Sequence, residues 1–379
     1  MRIELTKLYR SKYLFILPIF IISIIMFTYV PYSKFTKTNQ NDLIIESKVL
    51  TNNLSDIVED MKSKDFPEEF YQLIEQQKLL SIDRAEAIEQ HDQTKQLLAE
   101  REMEKINLDL LQQGKISGYT FDELSLKIEE LAFFIENPDV EYMDKFLFTK
   151  LSTSYFIPRL FEFIPITTLL LIISILLSFY LTMEYREKTI NFLNVIPYKK
   201  RKVTFDKMGV ALSWIVGSWA IVGLLISLIT TIQFGFGTLK YPFFYLDTDR
   251  MIISITSGEY MMKLIVSLIL LSFFLVSSIY LISLLTKSTI IAMAISAGLI
   301  LPAMMPSVLK VIPPSLLRYL PYGYLNLPEL IFSRSDIEGW NPSWIQGITY
   351  FIFLDIICLL LIALQQQAEK KNKIISNFG

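Results

Sequence analysis

The sequence predicts an all-α polytopic membrane protein, with six transmembrane helices and a helical extracellular domain between spans 1 and 2. Three observations predict it. Six uncharged apolar runs each reach the length that crosses a bilayer, Lys and Arg gather in alternate loops, and residues 32–160 carry helical periodicity with few glycines or prolines.

The runs come first. A hydrocarbon core of about 30 Å takes roughly 20 helical residues at about 1.5 Å each. Tyr13–Ser33, Phe163–Met183, Met208–Leu239, Leu264–Thr286, Ser288–Leu309 and Ile345–Ala368 all meet that length, the last broken only by Asp355. The first run has the basic lead of a signal peptide. Phe27, Tyr29, Val30 and Pro31 offer no small-x-small cleavage site, however, so it reads as a retained span.

Orientation follows from the cations. Arg2, Lys7, Arg10 and Lys12 precede span 1, and Arg186, Lys188, Lys199, Lys200, Arg201, Lys202 and Lys207 follow span 2. Lys287 lies between spans 4 and 5, and Lys370, Lys371 and Lys373 follow span 6. With six spans these places share one side, which the positive-inside rule makes the cytoplasm, with both termini inside. The richness in Ile, Phe and Lys with few Gly suits an AT-rich bacterial genome, so the expected location is a bacterial cell membrane. The chain then divides into residues 1–31 (cytoplasmic N-terminus and span 1), 32–160 (outer domain), 161–368 (spans 2–6) and 369–379 (cytoplasmic tail).

Within the outer domain, Leu50, Leu54, Ile57 and Met61 repeat on one helix face, as do Leu124, Ile128, Leu131 and Ile135. Thr120 and Glu123 form a capping-box pattern ahead of the second stripe. No breaker stands between Pro67 and Gly114, which suggests one long helix, although its apolar stripe falters across Glu89–Gln96. His91, the only histidine, lies in that polar stretch and has no second His or Cys nearby, so it reads as a solvated helix position, not a metal ligand. The domain's many acids suit a bundle surface more than a site for a cationic peptide.

Composition excludes several classes. A net charge of −2 argues against a nucleic-acid partner. The single cysteine, Cys358, forbids an internal disulfide framework. No G-x-x-x-x-G-K-[ST] loop is present, and one histidine cannot supply H-E-x-x-H. No catalytic, cofactor or metal residue is therefore assigned; the expected role is a membrane conduit or receptor, not an enzyme.

The loop after span 2 carries the sharpest local signal. Glu184, Arg186, Glu187 and Lys188 form a wet boundary, and Thr189 suits an N-cap. Ile190, Leu193 and Ile196, with Phe192 and Val195 beside them, then present an apolar face until Pro197 ends the helix. Lys199, Lys200, Arg201, Lys202 and Lys207 suit the anionic inner leaflet, with Lys207 leading into span 3. Physically this is either an interfacial helix resting on lipid or a peg that a cytoplasmic partner moves.

The pattern E-x(4)-T-x(3)-L-x(3)-P with trailing basic residues (Glu184, Thr189, Leu193, Pro197, Lys199–Lys202 and Lys207) resembles the ABC-2 family of ABC-transporter permeases. The Pro-rich stretch "LPAMMPSVLKVIPPSLLRYLPYGYLNLPEL", Leu301–Leu330, is similar to that family's re-entrant region between spans 5 and 6, and the extracellular re-entrant region is assigned to residues 310–344. The insertion after span 1 is closer to the subgroup with a sizeable extracellular domain there. The resemblance implies a permease that pairs with a second copy or a sibling, driven by two ABC ATP-binding subunits that hold the ATP and Mg. It implies that residues 184–207 contain the coupling helix, with Glu184, Arg186, Glu187, Thr189, Ile190, Phe192, Leu193, Ile196 and Pro197 docking on the ATPase. Family substrates include drugs, antimicrobial peptides, lipids and polysaccharide, and the acidic outer domain leans toward export of, or immunity against, a cationic peptide.

Two further features stand apart. Asp355 is costly in mid-membrane and marks either the pathway, a proton carrier or a bond across a helix–helix contact. Ser213, Gly217 and Ala220 give span 3 a small-residue face. The alternative from another class is a non-transporting receptor or secretion-assembly factor with a helical ectodomain; a neighbouring ATP-binding-cassette gene would decide against it. A proton-coupled carrier ranks last, since no internal repeat is apparent.

Overall fold

The structure is a computed structural model that describes residues 2–10, 15–23, 40–63, 66–140, 142, 152–164, 166–188, 200–246, 251–333, 337 and 339–378. The chain forms two compact units. One comprises Val30–Phe156 with Phe234–Ser257, and the other comprises Met1–Tyr29, Ile157–Gln233 and Gly258–Gly379. Helices are numbered below in chain order, α1 being Arg2–Arg10 and α2 residues 15–23.

The first unit is a run of helices, α3 (Gln40–Ser63), α4 (Glu68–Glu89), α5 (Gln93–Gln112) and α6 (Phe121–Glu136), each packed on the next. Leu54, Val58 and Met61 of α3 meet Ile74, Ile106 and Leu110 in a shared core. The expected α3 stripe is thus shifted: Val58 is buried, whereas Ile57 is 45% exposed. On α6 Leu124 and Leu131 are buried as expected, joined by Phe134, and the Thr120–Glu123 capping box is formed.

The expected long helix between Pro67 and Gly114 is instead a hairpin. The chain turns at Gln90–Asp92, where His91 takes a left-handed φ of 59° and Asp92 caps α5 by accepting a hydrogen bond from the Lys95 N–H at 3.1 Å. Histidine tolerates that conformation better than most residues, so no glycine or proline was needed. His91 is therefore a turn residue, not a helix position. Polar pairs line the interior of this unit: Thr51 with Ser81 (3.0 Å), Gln77 with Asn107 (2.6 Å) and Arg84 with Glu100 (3.6 Å).

Strands β1 (Pro242–Leu246) and β2 (Ile252–Thr256) pair antiparallel in the same unit, with Phe244 opposite Ser254. Their aromatic and β-branched residues suit a pleated, half-buried surface. Tyr241 and Phe243 seat the hairpin: Tyr241 lies 4.9 Å from the Tyr155 ring and 5.5 Å from Phe134, and Phe243 stacks on Tyr155 at 5.6 Å. Gly237, at φ 76°, crosses so close to the chain that a side-chain carbon there would overlap Ser152. These strands were not foreseen in a chain read as wholly helical.

The second unit holds the apolar helices. Arg201–Gln233 within α10 (Lys200–Phe234), α11 (Ser257–Thr286) and Trp344–Ala368 within α16 (Trp344–Phe378) are each long and apolar enough to cross a membrane. Of the apolar stretch of α11, 61% is buried, against 28% for α10 and α16, so α11 is the more enclosed of the three. A fourth candidate is a bent pair, residues 153–161 of α7 (Thr153–Phe163) with α8 (Ile166–Leu181), set at 71°. Pro165 stands between them in the sequence and cannot donate the hydrogen bond that would continue the helix.

Of the expected first span, residues 15–23 are described and helical. The expected fifth, Ser288–Leu309, is not one helix. It begins as α12 (Thr289–Gly298), then breaks into a 3₁₀ turn at Leu301–Met304 and α13 (Pro306–Val311). Pro302 and Pro306 each lack an N–H and so interrupt the ladder. The proline-rich irregularity therefore starts before residue 310. It continues through α14 (Pro314–Leu317) and α15 (Leu327–Ile331), closed by Tyr324 packed on Trp340 and Tyr350.

Candidate functional site

At the ends of α8 and α10 adjoining the basic loop lies a cluster of buried charge. The short helix α9 (Met183–Arg186) follows α8 directly and places Glu184 inward, 5% exposed. Lys207, two turns into α10, is 4% exposed and pairs with the Glu184 Oε2. Its ammonium also donates to the carbonyl of Leu181 at 2.8 Å, filling one of the acceptors that a helix C-terminus leaves open. From α1, Lys7 donates to Glu184 Oε1 at 3.1 Å and to Glu4 Oε1 at 2.7 Å, and the Tyr180 hydroxyl donates to Glu4 Oε2 at 3.4 Å.

Two acids and two ammoniums thus alternate along one chain of contacts, so the cluster is electrically balanced. That balance is what permits burial, since an unpaired charge there would be costly. Burial alone would raise the Glu184 pKa, but the charge and hydrogen bond of Lys207, with Lys7 behind them, hold it below its ordinary value. For Lys7, burial works downward, yet the hydrogen bond it donates to Glu4 and the charge of Glu184 leave its pKa raised.

Hydroxyl bridges extend the joint to other helices. Thr182 meets Thr289 at 2.8 Å and Ser178 meets Ser296 at 3.0 Å, tying α8 to α12. Thr204 meets Tyr280 at 2.9 Å and accepts from Gln366 at 2.5 Å, tying α10 to α11 and α16. In a low-dielectric interior such pairings fix relative positions, because breaking one strands a buried polar group.

The residues expected to dock a partner divide by place. Glu184 is a buried member of the cluster, 5% exposed. Arg186 and Glu187 are exposed and lie 3.7 Å apart, and Lys188 takes a left-handed φ of 55°. Thr189, Ile190, Phe192, Leu193, Ile196 and Pro197, with Lys199, lie outside the described residues. Lys200, Arg201 and Lys202 begin α10 instead of lying in a loop, with Arg201 and Lys202 exposed. Cations in a first helical turn oppose the helix dipole, so helix stability does not explain them. Lys207, expected at the lipid headgroups, is a buried ion-pair partner because Glu184 and the Leu181 carbonyl lie within its reach.

Glu4 and Lys7 were not singled out from sequence. Their i, i+3 spacing on α1 is a weak signal by itself, and only the fold brings them to Glu184.

Asp355 of α16 is 4% exposed and accepts a hydrogen bond from the Ser277 hydroxyl of α11 at 2.7 Å. Among the described residues its second oxygen, Oδ2, has no hydrogen-bond partner. Cys358, almost one turn on, is buried and free. No group of three or more His, Cys, Asp or Glu side chains suited to a metal occurs among the described residues.

Compared with known proteins, residues 1–366 match the family model described as ABC-2 family transporter protein. No curated protein and no solved structure matches the chain.

Proposed function

We propose a function from one premise: the chain belongs to the ABC-2 transporter family. It is a membrane-embedded permease subunit of an ABC transporter, a class that works with ATP-binding subunits. On our reading it is an exporter with six spans and cytoplasmic termini, forming half of a pathway with a second copy or sibling. Two ATP-binding subunits drive it, and residues 189–197 dock on them through Ile190, Phe192, Leu193 and Ile196. The substrate is a peptide or another lipophilic molecule.

The observation that carries this is the buried cluster of Glu4, Lys7, Glu184 and Lys207 at the root of the loop. The proposed coupling segment is flanked by two helix ends, and Lys207 fastens them together through Glu184 and the Leu181 carbonyl. A push delivered to residues 189–197 would therefore reach α8 and α10 as one body, and α11, α12 and α16 through the hydroxyl bridges. Rigid-body tilting of that kind is a standard route for a transporter to change its access. Asp355 fits helix–helix bonding in this scheme, since its one hydrogen bond joins α11 to α16.

The test is Leu193→Asp in the assembled transporter. The variant is expected to insert and to fold, while ATP-driven transport is lost. Transport at the wild-type rate would overturn the docking assignment.

A further inference from the structure

A cleft of about 490 Å³ opens within the second unit, walled by α7, α10 and α11. Its floor is buried hydrocarbon, with Leu160, Val222 and Leu264 no more than 3% exposed, and its rim is open hydrocarbon, with Leu224 71% and Ile265 57% exposed. Gly223 lines one wall, and a side-chain carbon built there would meet nothing. The nearby Ser227 hydroxyl already donates to the Gly223 carbonyl at 2.7 Å. The bend of 71° between α7 and α8 sets the third wall, because Ile157 and Phe161 lie on the α7 side of that bend.

We propose that this cleft holds one acyl chain of a bilayer phospholipid as a bound, retained ligand. Water is a poor occupant, because it needs two to four polar partners and, apart from Trp219 and the Ser227 hydroxyl that already donates to Gly223, the lining side chains are apolar. A charged or strongly polar ligand would be left without compensation there. A second copy of the chain could cover the cleft only by inserting side chains from its own surface, an arrangement that cross-linking distinguishes from a bound lipid. A flexible hydrocarbon chain has the required section and chemistry, and the cleft is cut into helices long and apolar enough to lie in a bilayer. Left empty it would forfeit dispersion contacts along every wall, so a packed chain also braces the bend. The cleft lies toward the ends of α10 and α11 that residues 235–256 connect, so the orientation proposed above assigns the chain to the outer leaflet.

The experiment uses the full-length protein, purified in mild detergent with its associated subunits. Native mass spectrometry counts retained phospholipid, and a phospholipid with a diazirine on its acyl chain marks where that chain lies. One retained phospholipid per chain is expected, with cross-links on Leu224, Ile265 or Ile269. Gly223→Phe and, independently, Ala220→Leu fill the cleft and are expected to lose both the lipid and the cross-links. Ile232→Phe, on an exposed face outside the cleft, is expected to keep them. Retention unchanged in both cleft-filling variants, or cross-links scattered evenly over exposed faces, would overturn the proposal. So would a disulfide between copies through Leu224→Cys, which would place a second chain there. Loss of lipid leaves the docking assignment untouched, because that is read by the Leu193 variant alone.

Discussion

Removing Lys207 from the buried cluster makes the most demanding test of the joint. In Lys207→Met the unbranched apolar stem is kept, one atom shorter, but Glu184, 5% exposed, loses its closest counter-ion and the Leu181 carbonyl loses the Lys207 donor. Breaking a buried pair from one side costs about 3–5 kcal/mol, because the remaining charge stays desolvated. Glu184→Gln should cost a similar amount, since it strands Lys207 and weakens the hold on Lys7. If the two acted independently, the double variant would lose about 6–10 kcal/mol; sharing one interaction, it should lose little more than either single. Unfolding in mixed detergent micelles gives all four values of the cycle. The pH arm has a fixed sign. A carboxyl held below its ordinary 4.5 contributes stability that is complete above that value and is lost as pH falls through its folded pKa. Wild type should therefore weaken with acid below about pH 4.5 more steeply than Glu184→Gln. Additive losses in the double variant, or a Lys207→Met protein as stable as wild type, would refute the joint.

Other outcomes follow from separate parts of the molecule. Gly237→Ala must place a side chain at φ 76° against Ser152, so it should cost about 1–3 kcal/mol and speed proteolysis within residues 234–257. Thr120→Ala removes half of the capping box and should lower stability by about 1 kcal/mol, seen as faster amide exchange over Phe121–Glu136. Glu100→Leu leaves Arg84 buried without its acid and should cost about 3–5 kcal/mol, whereas Lys127 keeps Glu104 at 2.8 Å. Asp355→Asn retains an acceptor for Ser277 and should change melting by about 1 kcal/mol or less, with transport intact; abolished transport would instead mark a proton carrier.

The sequence made some of this legible and hid the rest for identifiable reasons. The third, fourth and sixth apolar runs and the capping box survive because both signals are local: length and i, i+3 spacing need no partner elsewhere. The turn at His91 was missed because a left-handed histidine carries none of the usual punctuation. The broken fifth run was visible in Pro302 and Pro306, but an uncharged stretch of sufficient length outweighed them. Strands β1 and β2 were hidden because their anchors, Tyr155 and Phe134, sit about a hundred residues earlier in the chain. The charge cluster was half seen: Glu184 and Lys207 stood out by pattern, yet Glu4 and Lys7 join them only through the fold.

The first unit is threaded from two excursions of the chain, Val30–Phe156 and then Phe234–Ser257. During synthesis the first excursion emerges without Tyr241 and Phe243, which arrive only after the intervening helices have been made. At about 5–20 residues per second, the 78 positions from Phe156 to Phe234 impose a wait of roughly 4–16 s. For that interval Tyr155 lacks both rings that later pack on it, whereas Phe134 keeps Phe133 and Tyr142 and lacks only Tyr241. Inheritance is constrained in the same way. An exchange that carries only the first excursion keeps the core of Leu54, Val58, Met61, Ile74, Ile106 and Leu110 but leaves Tyr155 and Phe134 without Tyr241 and Phe243.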